Sequence, residues 1–385
     1  MRIHPRGAGR RTVLGAALAS VPLLAASVPA QADDATDLVY IGTWGLGQVY
    51  AARFDAGRGI LTSLGPVAQV SSNWVTAHPS RPVLYVAGGE QGGYIRTFGI
   101  DRTSGNLTLL GQLATEPVPA GSGGLSYLGV DRPSDTLLVA DFAAGTATTV
   151  PVGRDGRPGT PVSQVQDTGS GPSPRQLGPR PHHMVVGPGG RFALVTDFGA
   201  DRVFGYGFDR RTRTLTVAPR ASYTTTAGSG PRRLAFHPDG GTAYLLNELT
   251  AAIETLAWNA TTGELTNRQS LSTNAPGHTG TTSAAELVLS RDGRFAYVSN
   301  RGDNTLVVYS SHPETRLLTE VQRIPCGGTT PWSFALHRSG RWLFVANEAS
   351  GTVDLFAVDP RSGRLTGTGT SLPVPAPDCI AFSYR

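Results

Sequence analysis

One pattern recurs six times along this chain: an apolar run, a tight turn and a second apolar run. It reads WVTAHPSRPVLYVA from residue 74, LSYLGVDRPSDTLLVA from 125, HMVVGPGGRFALVT from 183, RLAFHPDGGTAYLLN from 233, ELVLSRDGRFAYVSN from 286 and SFALHRSGRWLFVAN from 333. The turn residues His78, Asp131, Gly187, His237, Ser290 and His337 lie 53, 56, 50, 53 and 47 residues apart. Strand pairs repeating at about fifty residues have the period of a four-stranded propeller blade.

A seventh copy is divided between the chain ends. DLVYIGTW at 37–44 resembles a second strand with no first strand before it, and DCIAFSY at 378–384 resembles a first strand with none after it. Joined, they complete a seventh blade and remove the open sheet edge of an unclosed array. No linker or shift in composition interrupts the series. The expectation is an all-β, seven-bladed β-propeller over residues 33–385, closed by a C-terminal inner strand beside the N-terminal strands. The 49 Gly and 28 Pro residues suit a chain of strands and turns.

Residues 1–32 read differently. Arg10-Arg11-Thr12-Val13-Leu14 precedes a modest apolar stretch, and Ala30-Gln31-Ala32 offers the small residues of a cleavage site. This is the pattern of a twin-arginine (Tat) signal peptide, and the expectation is secretion with cleavage and no membrane insertion afterwards. Without Arg2, Arg6, Arg10 and Arg11, the remaining chain carries 29 basic and 28 acidic residues. That balance gives no basic stripe for nucleic acid. Every basic side chain other than histidine is arginine, which excludes lysine Schiff-base chemistry.

The repeat also determines which residues can meet. Within each antiparallel pair, the start of the first strand and the end of the second emerge on one face of the disc. Arg180, His182, Arg232, Arg233, Glu286 and Trp332 lie at or just before first-strand starts. At or just after second-strand ends are Asp141, Asp197, Glu248, Asn300, Arg301, Asn347 and Glu348. A closed ring turns both sets toward one central funnel, which Arg175 and Gln176 adjoin. His78, His237 and His337 occupy turns on the opposite face and read as turn or packing residues.

Over residues 38–384 the chain resembles the seven-bladed β-propeller lactonase family, which includes bacterial propeller 6-phosphogluconolactonases and fungal carboxymuconate cyclases. The resemblance rests on YIGTW at 40–44, RQLGPRPH at 175–182, TDFGADRV at 196–203, GSGPRRLAFHP at 228–238, LNEL at 246–249, SNRGDNTL at 299–306 and VANEASGTV at 345–353. It also implies a Pro-His-x-His, of which this chain keeps His182 and replaces the first histidine by Arg180. Arg233 stands where the family pattern implies histidine, and Trp332 where it implies arginine.

Opening a cyclic ester needs an activated water, a donor for the developing oxyanion and a cation for any carboxylate on the ring. His182 is the candidate base, with Arg180 nearby in sequence to lower its pKa, and Glu248 the candidate to orient it or share its proton. Arg232 and Arg301 are candidates to clamp a carboxylate, and a blade-to-blade Glu248–Arg301 ion pair on a wet surface is the plainer alternative. Arg175, Gln176, Arg180, Asp197, Arg233 and Glu286 complete the candidate substrate-binding set. His183 is expected to point away from His182, because side chains alternate along a strand.

No cofactor or metal site is called for: the sequence holds no GxSxG elbow, HExxH pair or Walker loop. Arg301-Gly302-Asp303 spells an adhesion tripeptide, but Gly and Asp are ordinary turn residues at such a position. Cys326 and Cys379 allow either a disulfide or two buried thiols. Three functions remain open: lactone hydrolysis by general-base activation of water, a lactonizing cyclase, or a non-catalytic propeller that binds a ligand or surface partner.

Overall fold

In the computed structural model the described residues are 36–88, 93–115 and 124–384. The expected export segment lies outside them. The strands form seven antiparallel sheets, consecutive from the centre outward except where the chain ends meet and where the short strand Tyr223–Thr224 pairs with Arg202–Asp209. The only helical elements among the described residues are short 3-10 turns at Arg132–Ser134 and Pro219–Ala221.

Closure follows the division expected from the chain ends. With the blade closed by the chain ends numbered 1 and the others following in chain order to 7, the inner strand of blade 1 is Pro377–Ser383, paired with Asp37–Thr43 through Val39 opposite Phe382 and Ile41 opposite Ile380. Val49–Asp55 and Ile60–Ala68 complete the sheet. On the far side of the disc, Asp37 accepts from His337 Nε2 and Arg338 Nη2, both at 3.0 Å, which ties the first described strand to blade 7.

Why the second strands read as unbroken apolar runs is clear from their packing. Thr242–Asn247 and Phe295–Asn300 are buried at every position. A blade has a neighbour on each face, so alternate residues enter alternate cores. Leu38 and Tyr40 pack against blade 2 with Leu84 and Val86. Val39 and Ile41 pack against blade 7 with Phe344 and Ala346. The outermost strand Leu265–Ser272 is mostly exposed, and its sequence LTNRQSLS is correspondingly polar.

The cysteines are unpaired. Cys379 is packed between blades 1 and 2 with Val75, and Cys326 between blades 6 and 7 with Phe334. The disulfide alternative is thereby corrected: each thiol serves as a small apolar side chain in a different seam.

Candidate functional site

The centre of the disc is shaped by a β-bulge near the start of each of several inner strands. The register shifts between Leu125 and Tyr127, between Pro181 and His183, between Pro231 and Arg233 and between Pro331 and Ser333. Proline heads three of these strands, where its missing N–H costs the ladder nothing. The residue in the bulge is re-aimed. Ser126, His182, Arg232 and Trp332, the four residues at these bulges, all line a central cavity of about 270 Å³. That volume is at the small end of ligand pockets.

Second-strand ends and connecting loops supply most of the rest, while Arg233 and Trp74 come from inner strands. Arg175, Arg233, Glu248 and Arg301 line the cavity, and Trp44, Trp74 and Phe142 form aromatic walls. Trp44 and Trp332 approach with ring centroids 5.5 Å apart, and the Arg301 guanidinium lies 4.4 Å over the Trp332 ring.

Glu248 is the hub of the charge. Its Oε1 accepts from Arg175 Nη2 at 2.7 Å and faces Arg301 Nη2 at 2.9 Å, while Oε2 accepts from Arg232 Nε at 3.0 Å. Burial alone would raise its pKa, but Arg301, Arg232 and Arg175 outweigh burial and hold it down at about 2. Glu248 is therefore a fixed anion, unsuited to sharing a proton with His182. The carboxylate that Arg232 and Arg301 clamp is the protein's own. The Glu248–Arg301 pair exists, and it is buried rather than wet, with side-chain exposures of 3% and 8%.

His182 is half-buried, set edge-on to Phe142 with ring centroids 5.9 Å apart, and its Nδ1 has no hydrogen-bond partner among the described residues. Burial, then Arg232 and Arg233, push its pKa well below the ordinary histidine value, which leaves the ring neutral at pH 7. The expected influence of Arg180 is replaced by that of arginines from the next blade. Arg180 instead donates to the Phe142 and Ala143 carbonyls, each at 3.2 Å.

The expected alternation of His182 and His183 is overturned by the bulge. His183 also turns to blade 3, its ring edge-on to Tyr127 at 4.3 Å. It lines a second cavity lower in the channel, with Tyr127, Arg233 and Glu286.

Gln176, Asp197 and Glu286 are absent from the lining of the upper cavity. Asp197 Oδ1 accepts from the backbone N–H groups of Arg180 and Ala200, both at 2.8 Å. Gln176 Nε2 donates to Phe198 O and to Asp201 Oδ1 at 2.8 and 2.7 Å. These buried side chains stitch the 175–180 loop to the turn after Asp197. Gly199 permits the approach, since a Cβ there would meet Gly178 O at 1.9 Å. Asp141 and Asn300 likewise accept from backbone N–H groups two and three residues on. Their recurrence at the same place in successive blades was a legible sign of turn chemistry rather than funnel chemistry. Trp44, Asn73, Trp74, Ser126 and Phe142 line the cavity without having been singled out, because no motif marks a residue that a bulge or loop turns inward.

The far-face histidines brace turns. His78 Nδ1 accepts from Ser80 and Arg81 N–H, and His237 Nδ1 from Asp239 N–H. Arg301, held against Glu248, is not displayed as part of an adhesion tripeptide.

The sequence profile described as Lactonase, 7-bladed beta-propeller matches residues 38–382. A 6-phosphogluconolactonase of Bacillus subtilis is 29% identical over 352 residues, covering 90% of this chain and 98% of that one. Among solved structures, a Pseudomonas aeruginosa periplasmic gluconolactonase, PpgL, has 31% identity and a TM-score of 0.83, covering 90% of this chain and 99% of its own. A Lactobacillus plantarum protein has 29% identity and a TM-score of 0.83 over 90% of this chain and 99% of its own. With its ring of seven sheets and a profile match over nearly the whole ring, this chain belongs to the seven-bladed β-propeller lactonase family.

Proposed function

We propose that this protein hydrolyses a lactone of sugar size and that it does so outside the cytoplasm. The observation that carries the reading is His182, neutral and without a protein partner at Nδ1, on the wall of a cavity that four arginines also line. The named activities of the Bacillus and Pseudomonas relatives support it.

In this reading His182 accepts a proton from water as the water oxygen attacks the lactone carbonyl. The developing oxyanion forms in the field of Arg232 and Arg301. The ring C–O bond then breaks, and His182 returns the proton to the departing alkoxide, giving a hydroxy acid whose carboxyl proton is lost to water. Glu248 acts as a positioning residue that holds three arginines at fixed angles. The aromatic walls take the apolar faces of the ring.

Export through the twin-arginine segment is part of the proposal. It favours an unphosphorylated lactone, since phosphorylated sugars are held inside cells, and the Pseudomonas relative's description as a periplasmic gluconolactonase is consistent with it. The test is acid release by the mature protein from a panel of sugar and aliphatic lactones. Ring opening of at least one, lost on His182→Ala, is the expected result; no opening of any overturns the reading. Replacing Arg10 and Arg11 together by Lys should leave the protein in the cytoplasmic fraction, and unchanged secretion would refute the export route.

A further inference from the structure

Farther along the inner strands lies a second cavity of about 310 Å³, whose polar wall includes Tyr127, His183, Arg233, Glu286 and Ser333. Arg233 lines both cavities. It is only 3% exposed, and its guanidinium carbon lies 4.3 Å from the Trp74 ring centroid and 5.1 Å from that of Tyr127. Its Nε faces Glu286 Oε1 at 2.9 Å, but Nη1 and Nη2 have no hydrogen-bond acceptor among the described residues. His183, packed on the same Tyr127 ring, has an unpartnered Nδ1.

Glu286 has other partners too. Its Oε1 accepts from Leu287 N–H at 3.1 Å and its Oε2 from Ser333 Oγ at 3.3 Å. Among the described residues, the acidic partners of Arg175, Arg232, Arg233 and Arg301 around the two cavities are Glu248 and Glu286, two carboxylates for four guanidinium groups. Buried guanidinium donors are normally paired, and the outer edge of the fork matches two oxygens of one anion. Two aromatic faces hold this fork flat, which fixes its direction before any ligand arrives.

We propose that Arg233, assisted by His183, forms a binding site for a small oxyanion, carboxylate or phosphate, in the wall between the two cavities. The neutral His183 ring can carry its proton on Nδ1 and donate it to the same anion. The anion has two sources: a free ion in solution, or the anionic group of a bound substrate or hydroxy-acid product. The binding site itself does not rest on the lactonase reading, and its primary test needs no turnover.

That test titrates the mature protein with inorganic phosphate and, separately, with formate at constant ionic strength, following heat and thermal unfolding. Saturable binding that raises the melting temperature is expected with at least one of them. Arg233→Gln should weaken it at least tenfold, as should Arg233→Lys, which keeps the charge and loses the fork. Absence of saturable binding, or equal affinity in wild type and a folded Arg233→Gln protein, overturns the site. Should the Gln variant not fold, wild-type affinity in Arg233→Lys overturns it instead. Competition with an opened lactone separates the sources: competitive inhibition assigns the site to the substrate's own anionic group, and binding without change in KM assigns it to a free ion.

Discussion

His182 and His183, neighbours in the chain, present their rings to the same adjoining blade, one edge-on to Phe142 and the other edge-on to Tyr127. A regular strand would send them to opposite sides, and the bulge between Pro181 and His183 is what brings them together. They serve different depths of the channel: His182 the upper cavity, His183 the lower. In the proposed hydrolysis His182→Ala should lower kcat by about 100-fold, the usual size of a lost general base. Because burial and the Arg232 and Arg233 charges depress its pKa, the acid limb of kcat/KM should fall below the ordinary histidine range. An acid limb at or above pH 6.5 would contradict the assignment.

Glu248→Gln removes the anion that three guanidinium groups share and leaves their charges facing one another. Loss of one partner of a buried ion cluster costs about 3–5 kcal/mol, so the variant should melt well below wild type. The sign of the pH dependence follows from the lowered pKa. The folded carboxylate ionises more readily than the unfolded one, so its contribution is present above the ordinary carboxylate range and is lost as pH falls toward 2. Wild-type and Gln melting curves measured from pH 7 to pH 3 should converge, and parallel curves would argue against the clamp.

Asp167 and Asp197 carry the opposite sign. Burial and then the neighbouring Asp197 carboxylate push Asp167 up to about 8, and Asp197 is raised mainly by its own burial. One oxygen of each has no other partner, while Asp167 Oδ1 accepts from the Tyr206 hydroxyl. The folded pair thus retains a proton that the unfolded chain releases near pH 4, and stability falls as pH rises from about 4 to about 8. Asp167→Asn supplies a permanent N–H in place of that proton. Its melting temperature should exceed wild type at pH 9 and match it near pH 5; the reverse order at pH 9 would rule out the shared proton.

Ring closure should govern cooperativity. Deleting residues 378–385 removes most of the inner strand that pairs with Asp37–Thr43, and exposes buried backbone along its edge. The truncated protein should lose its single sharp unfolding transition. A melt like that of the full chain would refute closure by the chain ends.

Both thiols should resist modification in the folded state. Burial pushes Cys326 up to about 11 and Cys379 well above the ordinary thiol value, so little thiolate forms at pH 8. Iodoacetamide should label neither residue natively and both in denaturant, with no mass change on reduction. Labelling of neither residue after unfolding without reductant, or a two-hydrogen mass gain on reduction, would restore the disulfide alternative.

The ring was legible because its evidence is local and repeated. Each blade carries its own strand pair and turn, Val39 and Leu38 show by adjacency that both faces of a strand are buried, and DCIAFSY lacks a partner that DLVYIGTW supplies. The gathering of His182, Arg232, Glu248 and Arg301 at one end of the disc followed from strand direction alone. Asp197 and Gln176 were misplaced because position along a strand does not say whether a polar side chain faces the cavity or braces the adjoining loop.

By itself, then, the amino-acid sequence determined the all-β class, seven blades, the closing strand and the face on which the arginines collect. These depend on periodicity and hydrophobic pattern, which every repeat restates. The tertiary structure alone decided that Glu248 belongs to three arginines rather than to His182, that His183 turns with its neighbour, and that Arg233 keeps two unpaired nitrogens. A one-residue bulge reverses a side chain without altering the pattern, and an ion cluster drawn from three successive blades has partners chosen by proximity in the folded ring.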